Sequence, residues 1–239
     1  MKPRAWQTAT KPGAMLTALP RAASERGLRF FALYCCRLAW AVIGDDRSRA
    51  AVEVAERHLI GSATALERDA ALRVANPARE EAAAARAAAF AAPIASPAVD
   101  AIRTASLSAS LAAHFAYHAA RAGYYDGLLA HVRDALAFGR LILNPHDLAE
   151  HLRRQCALLR ELFPCPAWRV SFAPAWRTDT ALSLAREMYG TGDFSLMPIL
   201  ADALQDAGCD SDHILNHCRD AGAAHVRGCW VVELLLGKG

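Results

Sequence analysis

The sequence predicts an all-α fold, an irregular bundle of about ten helices with little or no strand. Three observations predict it. Hydrophobic residues make up 54% of the 239 residues and many of them are alanine. Alanine is the strongest helix former but adds little buried area per residue. A capping residue followed by proline recurs at Asn76-Pro77, Ser96-Pro97 and Asn144-Pro145, the combination that starts helices. Nowhere do two or more clear runs of alternating apolar and polar residues appear, as strands would require.

The elements follow in order. Residues 1–20 read as an arm with a turn at Thr10 to Gly13 and a short helix from Ala14 to Leu19; Trp6 and Leu16 are its docking groups. Ser24 offers a cap, and Gly27 to Ile43 is the heaviest helix of the first half, carrying Phe31, Tyr34, Leu38 and Trp40. Phe31 and Trp40 are expected as structural anchors of the core. Gly44 closes this helix. Asp45 or Asp46 caps the next, Arg47 to Leu59, with Ala51, Val52, Ala55 and Leu59 on one face. Thr64 with Glu67 is a capping-box pattern for a helix to about Ala75. Asn76-Pro77 then starts a separate alanine-rich helix from Ala78 to Ala92. Two more helices are expected after Ser96-Pro97, one reaching Arg121 and one from about Tyr125 to Leu143. Asn144-Pro145 starts a helix with Leu148, Leu152, Cys156 and Leu159 in register, finished by Phe163 and Pro164. Pro164 to Trp176 is the longest loop-like stretch, with Val170 to Phe172 as a short extended piece. Asp179 or Thr180 caps a helix to Tyr189.

The stretch Leu196 to Gly237 closes the chain and holds three of its seven cysteines and three of its nine histidines. Met197, Leu200, Ala201 and Leu204 mark one helix, ended by Gly208. Asp210 or Ser211 caps a second, with Ile214 and Leu215 on its apolar face, and Gly222 breaks it. A third runs from His225 to Leu236 around Trp230, so apolar that it must be buried. Trp230 is thus a third structural anchor, packed against Gly27 to Ile43 and Pro145 to Phe163; Glu233 and Lys238 should tolerate alanine if they face solvent. The loop at 164 divides the chain into 1–163, with the alanine-rich centre, and 164–239, packed together as one domain.

Composition bounds the function. A formal net charge of +3 is too small to imply a nucleic-acid or membrane partner. Lys2, Pro3 and Arg4 lead into Trp6 and not into an apolar signal core. The apolar run from Leu28 to Ile43 is short and interrupted by Arg29 and Arg37, which argues against a spanning helix. The odd cysteine count lacks the dense spacing of a disulfide scaffold. These features point to a cytoplasmic protein with reduced thiols.

Two blocks carry a resemblance. LRFFALYCCRLAW is followed by DDRSRAAVEVAERH over residues 28–58, and MPILADALQDAGCDSDHILNHCR is followed by HVRGCWVVELLLGK over residues 197–238. The chain resembles a bacterial family that carries these blocks around a variable alanine-rich centre. That family has no established activity, so the resemblance implies no catalytic residues.

One group of residues has metal chemistry. Cys209, His213 and His217 are spaced by four, as are His225 and Cys229, so on adjacent antiparallel helices they can present nitrogen and sulfur ligands to zinc. His217, His225, Cys229 and Cys209 are the candidate ligands. No Cys-x-x-Cys pair is present, and buried cysteine is often only a small apolar residue. A cysteine nucleophile with His217 or His225 as base is the catalytic alternative. Adjacent Cys35 and Cys36 read as buried thiols. The arginines Arg21, Arg26, Arg29, Arg37, Arg47 and Arg49 lie among acidic residues and read as a mixed-charge face. No phosphate loop, nucleophile elbow or metalloprotease helix occurs. The expectation is a non-enzymatic helical module that binds a protein partner or joins a larger assembly, without a cofactor. The alternatives are a zinc-stabilised regulatory protein and a nucleic-acid-associated protein.

Overall fold

The computed structural model describes residues 1–20, 23–91 and 145–238. Among these, ten α-helices and two 3₁₀ turns occur and no strand, so the fold is all-α as predicted. The helices are α1 (Pro3–Gln7), α2 (Pro12–Ala18), α3 (Glu25–Leu38), α4 (Asp46–Leu59), α5 (Ala65–Ala91), α6 (Pro145–Leu162), α7 (Asp179–Thr191), α8 (Met197–Asp206), α9 (Asp212–Arg219) and α10 (Trp230–Leu236). The helices expected after Ser96-Pro97 and from Tyr125 lie outside the described residues. No described helix is long and apolar enough to cross a membrane.

The chain divides into two compact units, Met1–Gly27 with Cys156–Gly239, and Leu28–Gln155. The sequence division at 163/164 places the N-terminal arm differently: the arm belongs with the C-terminal residues.

In the unit Leu28–Gln155, Phe31 is fully buried in α3. The helix stops at Leu38, earlier than expected, and tightens into a 3₁₀ turn at Trp40–Val42. The Ala39 N–H is shared between the carbonyls of Cys35 and Cys36, both at 3.1 Å, a sharing common where a helix frays at its end. Trp40 is consequently only half-buried; the Arg37 guanidinium lies 4.1 Å from its ring centre. Asp45 caps α4, accepting from the Arg47 and Ser48 amides at 2.9 and 3.2 Å. The capping box of α5 forms in both directions: the Thr64 amide donates to Glu67 at 2.8 Å and the Glu67 amide to the Thr64 hydroxyl at 3.2 Å.

One boundary in this unit is corrected. Asn76-Pro77 does not start a helix; Pro77 lies inside the single helix α5. The Asn76 side chain engages the Arg79 guanidinium at 3.0 Å and the Glu80 carboxylate at 2.9 Å, so it is committed to side chains and not to the free amides of a new helix. The alanine-rich flanks carry the helix through the proline. The charges pair as a mixed face: Arg37 donates to Glu56 at 2.8 Å, and Arg47 to Asp45 at 2.8 Å and Glu81 at 3.2 Å.

The other unit is tied together by arginines that reach across the sequence to carbonyls at helix ends. Arg160 donates to the Trp6 and Ala9 carbonyls at 3.1 and 2.7 Å, fixing the arm, whose Trp6 and Leu16 are buried. Arg177 donates to the Leu235 and Leu234 carbonyls at 3.2 and 2.9 Å, at the end of α10. Arg227 donates to the Tyr189 and Gly190 carbonyls, both at 2.7 Å, near the end of α7. A helix leaves its last carbonyls without intrahelical partners, and cationic donors suit that negative end.

Between Pro164 and Trp176 the only regular element is the 3₁₀ turn Pro174–Trp176, and Val170 to Phe172 form no strand. Thr178, one residue before the expected caps, closes the start of α7 by accepting from the Ala181 amide at 3.3 Å. Trp230 is buried, as expected of an anchor. Its helix packs on α7 and α9. Glu233 does not face solvent. It is buried and accepts from Arg26 at 2.9 Å, while the same guanidinium also donates to the Tyr189 hydroxyl. Lys238 sits over the Tyr189 ring at 3.9 Å.

Candidate metal centre

The sequence predicts the third helix of the C-terminal stretch from His225, but it begins at Trp230. Gly228 is the reason. The Cys229 N–H bonds back to the Val226 carbonyl at 3.0 Å, and Gly228 takes φ +93° inside that turn, a conformation glycine adopts without steric cost. His225 therefore stands before the turn, and Cys229 occupies the N-cap position of α10 without a side-chain cap bond. The spacing of four that suggested a shared helix face instead spans a turn.

The turn still brings the two side chains together, with His217 from the last turn of α9 and Glu161 from the end of α6. One donor atom from each of Glu161, His217, His225 and Cys229 lies within 4.8 Å of every other. His217 Nε2 is 3.2 Å from Cys229 Sγ and 3.4 Å from a Glu161 oxygen. His225 Nδ1 lies 3.1 and 3.0 Å from the two Glu161 oxygens. The Val226 amide donates to Glu161 at 3.3 Å. The two imidazoles meet edge to face, and the His217 ring also lies 5.0 Å from the Trp230 ring. Cys229 and Glu161 are buried, and His217 and His225 nearly so.

Burial sets the protonation here. Loss of solvent lowers the His217 imidazole to about 4, against the opposing pull of Glu161. The Cys229 thiol is pushed well above its ordinary value by burial first, then by the Glu161 carboxylate. Cys218, one residue after His217, is raised to about 12, also mainly by burial. At neutral pH the group therefore offers a neutral imidazole and a protonated thiol.

Of the four expected ligands, three converge. Cys209 is not among the cluster residues. It has a different task at the end of α8. The Gly208 amide bonds to the Gln205 carbonyl and the Cys209 amide to the Leu204 carbonyl, both at 2.9 Å, with Gly208 at φ +85°. This is the Schellman closure, in which the residue after the glycine packs back on the helix. Cys209 and Leu204 are both buried accordingly. His213, offered as part of the same spacing, is exposed and stacks on Trp168 at 4.0 Å. Glu161 was missed. It is a charged residue near a helix end beside Leu162 and Phe163, and sequence patterning assigns such a carboxylate to solvent.

All seven cysteines are free thiols in buried positions. Cys35 and Cys36 are both raised well above the ordinary thiol range by burial. No known protein-family model matches this chain, and neither a curated protein nor a solved structure shows significant similarity to it.

Proposed function

We propose that this chain is a non-enzymatic helical module that acts by binding a protein partner. The observation that supports this reading is an aromatic surface on the 164–176 loop. Trp168 is half-buried and stacks nearly parallel on the exposed His213 ring, 4.0 Å between centres, and the adjacent Arg169 is exposed. Long irregular loops in compact proteins are commonly functional, and tryptophan and arginine dominate the residues that carry binding energy at protein interfaces. The catalytic alternative is disfavoured by burial. The cysteine that meets a histidine, Cys229, is fully enclosed and held protonated, whereas a reactive thiol is accessible with a lowered pKa.

Trp168→Ala tests the proposal. Partners are captured from native lysate with the wild-type chain and identified by mass spectrometry, and the leading one is purified for titration. The variant should melt near the wild-type temperature and bind that partner at least about 30-fold more weakly, as loss of an interface hot spot implies. Unchanged affinity in a folded variant would remove the loop as the binding surface. A specific small-molecule turnover would overturn the non-enzymatic reading. Binding to nucleic acid that weakens steeply with salt would favour the nucleic-acid alternative.

A further inference from the structure

We infer that Glu161, His217, His225 and Cys229 bind one zinc ion, and that the ion fixes the turn leading into the Trp230 helix. The argument begins with the donor inventory. Two imidazoles, a thiol and a carboxylate meet in one buried place. Calcium and magnesium prefer oxygen ligands alone, whereas a mixed nitrogen and sulfur set selects zinc and its neighbours among the transition metals.

The geometry is consistent with a tetrahedron. Zinc bonds of about 2.0–2.3 Å place neighbouring ligand atoms about 3.3–3.7 Å apart. His217 Nε2 stands 3.2 Å from the sulfur and 3.4 Å from the carboxylate, and His225 Nδ1 stands 3.0 Å from that same carboxylate oxygen. Small side-chain adjustments within the 4.8 Å cluster would open room for the ion.

Hydrogen bonding accounts for the arrangement less well. His217 Nε2 faces a carboxylate oxygen and a sulfur at once. A neutral imidazole nitrogen either carries one proton or accepts one, so it cannot serve both contacts fully. A metal at the shared point replaces that divided contact with three bonds.

A catalytic relay is also a poorer fit. A triad histidine uses one nitrogen for the nucleophile and the other for the carboxylate. Here one nitrogen, Nε2, meets both groups. Donors converging on a point describe a ligand shell.

A metal also needs a route in. His225 forms part of the wall of a cleft of about 340 Å³ whose lining includes Phe194, Met197, Pro198, Cys218 and Asp220. On binding, the Cys229 S–H bond breaks, its proton leaves to solvent and the sulfur–zinc bond forms. The ion would then join the end of α6, the last turn of α9 and the turn before α10. This proposal is independent of the partner-binding reading, and either can fail without the other.

Cobalt(II) substitution of the full chain is the test. The purified protein is stripped with a chelator under reducing conditions and titrated with Co²⁺, then with Zn²⁺. The expected result is a saturable intense visible band of tetrahedral cobalt and a near-ultraviolet thiolate-to-cobalt band, both reaching an endpoint near one equivalent and abolished by zinc. Cys229→Ser should lose the thiolate band, and Glu161→Gln should weaken Co²⁺ binding more than tenfold. Cys209→Ser and His213→Ala should titrate like the wild type. A wild-type protein that develops no tetrahedral spectrum would overturn the assignment without reference to any variant. A thiolate band that persists in folded Cys229→Ser, or is lost in folded Cys209→Ser, would overturn this ligand set.

Discussion

Helix α5 and the C-terminal stretch from α8 to α10 are held in place by a different balance of local and tertiary terms. α5 runs 27 residues, and only Ala75 and Ala78 are buried along it. It packs along α4, to which Arg47 ties it through Glu81, and local terms add to that: alanine propensity, a two-way capping box, and side-chain pairs along its surface. The helices α8, α9 and α10 have 10, 8 and 7 residues, lengths at which isolated helices are marginal in water. They persist because Leu200, Leu204, Ile214, Val231 and Leu235 are fully buried, and because Arg177 takes up carbonyls at the end of α10. The start of a long helix can thus be read largely from its own residues, whereas a set of short ones depends more on what surrounds them.

The largest expected effect falls on the short-helix side. Trp230→Ala should destabilise the protein by about 3–5 kcal/mol, the usual result of emptying a buried aromatic site. Against a total stability of about 5–15 kcal/mol, that should lower the thermal midpoint markedly, as followed by circular dichroism. An unchanged midpoint would mean that α10 is not an anchor and that the contrast with α5 is drawn in the wrong place.

The next effect has the opposite sign. Proline inside a helix costs about 3 kcal/mol relative to alanine. Pro77→Ala should therefore stabilise the continuous α5 by up to that amount and raise the urea midpoint. If residue 77 were the first position of a separate helix, where proline is well tolerated, the same change would be neutral or destabilising.

The smallest effect concerns a local cap. Asp45→Ala should cost about 1 kcal/mol near neutral pH. The hydrogen bonds from the Arg47 guanidinium, first among several causes, hold the Asp45 carboxyl below its ordinary range. A carboxyl with a lowered folded pKa adds stability above its unfolded pKa of about 3.9, and loses that contribution as pH falls through the folded value. The difference between wild type and variant should therefore be full at pH 7 and shrink in acid. A difference that persists undiminished in strong acid would show that Asp45 acts by something other than its charge.

The sequence by itself determined the all-α class, most helix starts and the burial of Phe31 and Trp230. Those features depend on near neighbours: alanine content, the Asp45 cap, the pairing of Thr64 with Glu67, and apolar repeats every three or four residues. It also placed His217, His225 and Cys229 in one group, though for the wrong geometric reason, because Gly228 turns the chain where a helix was expected. Only the tertiary structure decided that Glu161 joins them and that Cys209 does not. Glu161 lies 56 residues before His217 in the chain, and no local pattern reports a carboxylate that a distant turn will enclose. Glu233 follows the same logic, since its partner Arg26 comes from the other end of the sequence. Helix propensity and capping act over a few residues, whereas the burial of a charge depends on which distant donors the packing brings to it.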